Sequence, residues 1–310
     1  MPRPAEFEAL AQRVSNWGRW GDDDEIGTLN LIDAAALARG TSAVRTGKRF
    51  SLAVRLDQQS PQVGSIPGRV NPLRTMIALN ADYVGSADAC RFNDDVVTMA
   101  LQAATHWDAL AHASYDGRLY NGFPAETVTA EAGATRCGIS RVRSLTSRGV
   151  LLDVAGALGV ERLEPGHAIQ PADLDAALTR ARVDLAAGDV VLVRTGHMRL
   201  YKARDRVTYT TGPQPGLTMA TVPWFHERDV AAVATDTLAF EVIPGDPDLP
   251  FFPVHMLHLR DMGMLQGQNF DLEALTADCL DDGQWDFLLE ASPLPFTGGC
   301  GSPVNPVAIK

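Results

Sequence analysis

Within residues 101–112 lies the densest group of side chains in this sequence able to bind a cation: Gln102, His106, Asp108 and His112. Imidazole and carboxylate are the donors that zinc and manganese favour, and an amide oxygen adds a weaker, neutral one. His106 and Asp108 are two residues apart, so an extended chain points both to one face. Gln102 keeps the same parity upstream. His112 stays in register whether the chain after Asp108 runs on extended or turns helical. Ala103, Ala104, Ala109 and Ala111 leave room for an ion and a substrate. The spacing therefore offers a metal site, with ordinary core histidines as its competitor. Trp107, on the opposite face, reads as packing.

The elements that must position these groups can be read from periodicity. A β-prone run, Val96-Val97-Thr98-Met99, leads into the segment. Residues 50–56 alternate apolar and polar as a half-buried strand does, and 149–154, 190–193, 230–234 and 285–289 read as further strands. Helices are expected near residues 32–39, with Asp33 as the cap and Gly40 as the stop, and over 171–183, 218–227 and 271–278. This alternation predicts an α/β fold on a mixed sheet. Residues 60–74 contain Pro61, Pro67 and Pro72 with Gly64 and Gly68, a loop suited to lie over a site. His197 follows Arg194-Thr195-Gly196 at the end of an expected strand and is a candidate substrate contact. Trp17 and Trp20, in the turn-rich stretch 16–25, are candidates to line a substrate pocket.

The central segment resembles the signature of the cyclase family, which includes bacterial kynurenine formamidase and isatin hydrolase: His-x-Gly-Thr-His-x-Asp-x-Pro-x-His. Thr105, His106, Asp108 and His112 match, while Gln102, Ala104 and Leu110 stand where the first His, the Gly and the Pro would be. A Gln-led motif is similar to the branch resembling trans-dienelactone hydrolase. So are Asn16-Trp17-Gly18-Arg19-Trp20-Gly21, Tyr120-Asn121-Gly122 and Gly301-Ser302-Pro303-Val304-Asn305-Pro306. The resemblance spans nearly the whole chain. It implies one domain over residues 1–310, with 1–45 as a helical N-terminal extension, and a barrel-like mixed sheet with flanking helices. It also implies a divalent metal, zinc or manganese, held by His106, Asp108 and, more weakly, Gln102. His255 would be a distant ligand, with His258 as the nearby alternative, and Gln268 stands where the family carries a Glu. His112 would be the catalytic proton shuttle. The activity implied is hydrolysis of a small cyclic ester or amide, or of a formamide, by a dimer or tetramer. A metal-dependent lyase or isomerase and a non-catalytic binder are the alternatives.

Composition narrows the field further. A net charge of -11, with scattered Lys and Arg, excludes a phosphate-neutralising nucleic-acid partner. No apolar stretch reaches the roughly 18 residues a membrane helix needs, so no membrane partner is expected and a cytoplasmic location is. Four widely spaced cysteines contain no Cys-x-x-Cys pair. Neither a Gly-x-Ser-x-Gly elbow nor a His-Glu-x-x-His pair is present, which disfavours serine hydrolases and the usual metalloproteases.

Overall fold

The computed structural model describes residues 3–86 and 88–310. Eleven strands matter for the site: β1 (Arg49–Ser51), β2 (Leu73–Ala81), β3 (Phe92–Thr98), β4 (His106–Asp108), β5 (Thr146–Asp153), β6 (Val190–Arg194), β7 (Ala232–Thr235), β8 (Leu265–Gln268), β9 (Asp286–Glu290), β10 (Gly301–Pro303) and β11 (Val307–Ile309). Nine of them make one mixed sheet in the order β1-β11-β9-β5-β6-β7-β8-β4-β10, curled into a half barrel and flanked by helices. The remaining two, β2 and β3, pair only with each other.

The middle of the sheet is parallel, β5 through β8, and its margins are antiparallel. Parallel strands are covered on both faces and so read as continuous apolar runs. Val190, Val191, Leu192 and Val193 of β6 are all fully buried. Alternate side chains feed two cores: Leu151, Leu192 and Ala234 pack with Trp107 on one face, and Val150, Val191 and Val233 pack with Phe225 and Phe240 on the other.

Helix Ala34–Ser42 is capped by Asp33, whose carboxylate accepts from the Ala36 amide. Gly40 does not end it. The residue lies inside the helix and faces β5, where a Cβ would come within 2.9 Å of the Arg148 nitrogen. The half-buried strand expected over 50–56 is also shorter, ending at Ser51, with only an isolated bridge from Ala53 to Phe270 beyond. Helices Pro171–Ala181 and Glu273–Asp282 and strand β9 occupy the stretches where periodicity predicts them. No helix among the described residues is long and apolar enough to cross a membrane.

Candidate functional site

Strand β4 sits between β8 and the edge strand β10, with Asp108 opposite Gln266 and Gly301, and His106 opposite Gln268 and Pro303. Cross-strand partners share a face, so Asp108, Gln266, His106 and Gln268 project to one side of the sheet. Trp107 points the other way, donating its indole N–H to the Ala291 carbonyl at 2.8 Å and meeting Phe270 edge-on. Gly267 lies opposite Trp107, and any Cβ there would come within 2.8 Å of its ring and 2.5 Å of Ala234. Only glycine lets β8 approach so closely.

Both His106 and Asp108 are fully buried. The His106 Nδ1 faces the Ala104 carbonyl at 2.7 Å. A carbonyl can only accept, so Nδ1 carries the hydrogen and Nε2 presents a lone pair. That Nε2 has no hydrogen-bond partner, nor has Asp108 Oδ1, and the two stand 3.4 Å apart. Leaving a buried polar atom unpaired costs about 1–3 kcal/mol, so two adjacent orphans mark a place kept for a ligand. Both are electron-pair donors, which is the chemistry a cation needs. Two ligands of a tetrahedral zinc ion, each at about 2.0–2.1 Å, are roughly 3.3 Å apart. The pair fits.

His112 lies beyond a turn, its Nε2 3.8 Å from Asp108 Oδ1 and its side chain 27% exposed. Asp108 pulls the His112 pKa upward, but burial and the neighbouring His255, His106 and Arg69 outweigh it, so the pKa falls below the usual value. Burial pushes the Asp108 carboxyl up, yet His112 and His106 together hold it well below the usual carboxylate range. It is therefore ionised at neutral pH.

His255 enters from the far end of the chain, at Pro253–His255 and the wide helical turn that follows. Its Nδ1 donates to Glu241 Oε1 at 2.5 Å, and the same carboxylate accepts the backbone amides of Val254 and His255. This grip aims Nε2 at the cluster, as a carboxylate behind a metal-ligating histidine does. His258 is not part of this grip, though its own Nε2 likewise lacks a hydrogen-bond partner. It is buried between Phe225 and Phe240, beside the Gln266 amide, and burial lowers its pKa to about 3.

Gln268 bridges the two halves. Its Nε2 donates to Asp108 Oδ2 at 2.7 Å and stands 3.3 Å from His255 Nε2. The reverse amide orientation would set oxygen against carboxylate, so without a cation this is the only one that satisfies both partners. Among the described residues no three His, Cys, Asp or Glu side chains already form a closed cation cage. His112 Nε2 stands 3.8 Å from Asp108 Oδ1, and between Asp108 and His255 there is an amide.

The remaining sequence candidates make other contacts. The chain turns through residues 100–105 rather than extending, so the parity expected for Gln102 does not apply. Its amide nevertheless reaches the face that carries Asp108: it packs 2.7 Å from where a Cβ would project on Gly301, the residue opposite Asp108. His197 is buried, bonded to the Tyr209 carbonyl at 2.9 Å and stacked on that ring. Trp17 donates to the Arg260 carbonyl at 2.7 Å with the Arg260 guanidinium over its ring, and Trp20 lies under Arg19.

Sequence reasoning passed over four residues here: Glu241, Gln266, Asn269 and Arg69. Gln266 was within reach, because it is two residues from Gln268 on a strand. Asn269 donates to the Ala104 carbonyl, the same oxygen that His106 uses, and its own carbonyl accepts from Thr105. Arg69 comes from the proline-rich loop, which is strapped to the motif segment. Val70 accepts from the Ala100 amide at 3.2 Å, and Gln62 donates to the Ala103 carbonyl at 3.0 Å. Burial lowers the Arg69 pKa while Asp108 opposes that effect, so the guanidinium lies within the field of the site.

Comparison with known proteins identifies the fold and the family. The model of the Cyclase family, described as "Putative cyclase", matches residues 43–242. A solved structure described as a novel cyclase is 38% identical, covers 97% of this chain and 99% of its own, and superposes with a TM-score of 0.88. Isatin hydrolase A from Labrenzia aggregata, bound to benzyl benzoate, is 20% identical over 88% of this chain and 96% of its own, with a TM-score of 0.62. A protein described as a potential metal-dependent hydrolase with cyclase activity is 16% identical over 84% of this chain and 98% of its own, at 0.51. No curated protein matches the chain. With the family model covering most of its length and the 38% identity extending nearly end to end, the chain belongs to the cyclase family.

Proposed function

We propose that this protein is a metal-dependent hydrolase that opens a small cyclic ester or amide, or cleaves a formamide, by adding water across the acyl C–O or C–N bond. The observation that carries the reading is the orphaned pair, His106 Nε2 and Asp108 Oδ1, buried 3.4 Å apart. His255, oriented by Glu241, supplies a third donor, and rotation of the Gln268 amide would present its oxygen as a fourth. A zinc or manganese ion held there would, when bound, acidify a water molecule and polarise the substrate carbonyl. His112 is the proton carrier. With its pKa below the usual imidazole value it is neutral at pH 7, so its Nε2 accepts a proton from the attacking water and returns it to the leaving oxygen or nitrogen. Arg69, whose charge interacts with Asp108, would supply positive charge to a product carboxylate. The family likeness and the metal-dependent hydrolase among its structural neighbours support the same reading.

The test is metal content coupled to turnover. Protein purified with added zinc or manganese should hold the ion and hydrolyse members of a panel of lactones, cyclic imides and formamides, gaining one water per product. His106→Ala and Asp108→Ala should lose the ion while remaining folded. A wild type that neither holds nor binds a divalent ion would refute the reading. One observation favours a second reading, a non-catalytic binder: the Gln268 amide already satisfies Asp108 and His255 without an ion. Tight ligand binding with no metal and no turnover is the result that would select it.

A further inference from the structure

The lone pair on His106 Nε2 exists only while Nδ1 keeps the ring hydrogen. In a neutral imidazole either nitrogen can carry it, and the surrounding hydrogen bonds decide which. The rival tautomer has an acceptor at hand, because a hydrogen on Nε2 would point at Asp108 Oδ1, 3.4 Å away. Each atom would then satisfy the other, and the place for a cation would close. What holds the hydrogen on Nδ1 is the Ala104 carbonyl, at 2.7 Å. Ala104 lies in the turn before β4, so no sheet ladder fixes the direction of that carbonyl.

Asn269 fixes it. The residue follows directly on β8, is fully buried, and has a φ of 59°, a left-handed conformation that asparagine tolerates better than most residues. Its Nδ2 donates to the Ala104 carbonyl at 3.1 Å, and its Oδ1 accepts from the Tyr209 hydroxyl at 2.8 Å. The amide cannot be turned round, since Oδ1 would then face a carbonyl oxygen that only accepts. Burial holds the Tyr209 phenol well above its usual pKa, so the hydroxyl keeps the hydrogen it donates. The backbone of Asn269 is tied as firmly. Its amide donates to the Thr237 carbonyl at 2.9 Å, and its carbonyl accepts from the Thr105 hydroxyl at 2.6 Å. Thr105 in turn accepts from the Val54 amide at 2.9 Å. Behind this group the His197 ring stacks on Tyr209 and faces its carbonyl at 2.9 Å, which gives that sequence candidate a place in the outermost layer.

We propose that Asn269 is a positioning residue for His106: its side-chain amide holds the Ala104 carbonyl against Nδ1 and so keeps Nε2 open to a cation. The inference rests on the reading of His106 and Asp108 as metal donors. A left-handed φ alone would be served equally well by glycine, so the amide is the part of Asn269 that serves the site.

Asn269→Gly keeps that backbone and removes the amide, and two measurements on the folded variant read the result. The first uses metal-free protein labelled with 15N-histidine at about pH 8, where an ordinary imidazole is neutral. The ring-nitrogen shifts of His106, assigned by their loss in His106→Gln, should report the hydrogen on Nδ1 in wild type and on Nε2 in Asn269→Gly. The second is calorimetric titration with the zinc or manganese ion alone, whose Kd should rise about 10–100-fold in the variant, as it does when a group behind a metal ligand is lost. A merely structural asparagine would move neither. Should Asn269→Gly not fold, Asn269→Ser, one atom too short to reach Ala104, carries the same two readouts. A variant that keeps the wild-type tautomer or the wild-type Kd would overturn the proposal, as would a wild type with its hydrogen on Nε2. A wild type that takes up no ion would sink the metal reading instead, and the ring-nitrogen shifts would still decide whether Asn269 sets the tautomer.

Discussion

Gln268→Glu asks what the position between Asp108 and His255 is built to hold. In the wild type Gln268 Nε2 donates to Asp108 Oδ2 at 2.7 Å, so an ionised carboxyl in its place would set two carboxylates in contact inside a buried site. The site can escape by protonating the new carboxyl, and that sets the size of the penalty. Each pH unit above the ordinary glutamate pKa of about 4.3 costs about 1.36 kcal/mol, or about 3–4 kcal/mol at pH 7. At about 2.1 cal/mol/K of unfolding entropy per residue, this lowers Tm by about 5 °C. The sign follows from linkage. A carboxyl whose folded pKa is raised is most stabilising below its unfolded pKa, so the deficit relative to wild type should vanish near pH 4 and grow toward pH 7. A divalent cation should reverse it, because the second carboxylate then becomes a ligand. Zinc or manganese should raise the variant's Tm by more than the wild type's. Calorimetric melts at several pH values, with and without the ion, decide the matter. If the variant melts like wild type at pH 7 and gains no more from the ion, the placement of Gln268 at a cation site is wrong.

Three further outcomes bear on the same groups. His112→Ala should keep bound metal but lose most turnover, about 10²-fold or more for a general base; unchanged kcat with intact metal would remove the shuttle role. Arg69→Ala should raise KM for substrates bearing or generating a carboxylate, while leaving metal content unchanged by elemental analysis. His258, whose pKa is lowered to about 3 by burial, stays neutral in the fold but takes a proton when unfolded. Its contribution to stability is therefore present above pH 6.5 and lost as pH falls toward 3, about 2 kcal/mol between pH 7 and 5. Asp236 and Asp261, pushed up to about 6 by burial, tilt stability the opposite way. The reading is thus the difference between wild type and His258→Gln in urea melts, which should shrink as the pH is lowered.

How much of this was legible depended on distance along the chain. His106 and Asp108 could be paired from spacing alone, because a buried strand has period two and both residues lie on one. The same rule does not carry Gln102, since residues 100–105 turn instead of extending; its amide reaches the Asp108 face by that turn, over Gly301. His255 reached the site only through resemblance. No local pattern tells a histidine that a β-strand 147 residues upstream will face it. Glu241 left no trace at all, because its role is to collect the amides of Val254 and His255 and the His255 ring, contacts that exist only once the chain has closed. Trp107 was the easiest of all: large, apolar and out of phase with its charged neighbours, it could only face the core.

The β2–β3 hairpin shows the opposite limit. Val96-Val97-Thr98 announces a strand, and the strand is there, but propensity reports only that a pleated surface suits these residues. Which body buries that surface is a separate question, and a single chain does not answer it. The sheet's centre answers it internally, since β6 is covered by its own helices and neighbours. The hairpin does not. Its apolar residues obey the rules of a core strand while standing outside the core, so propensity places the strand and leaves its cover undetermined.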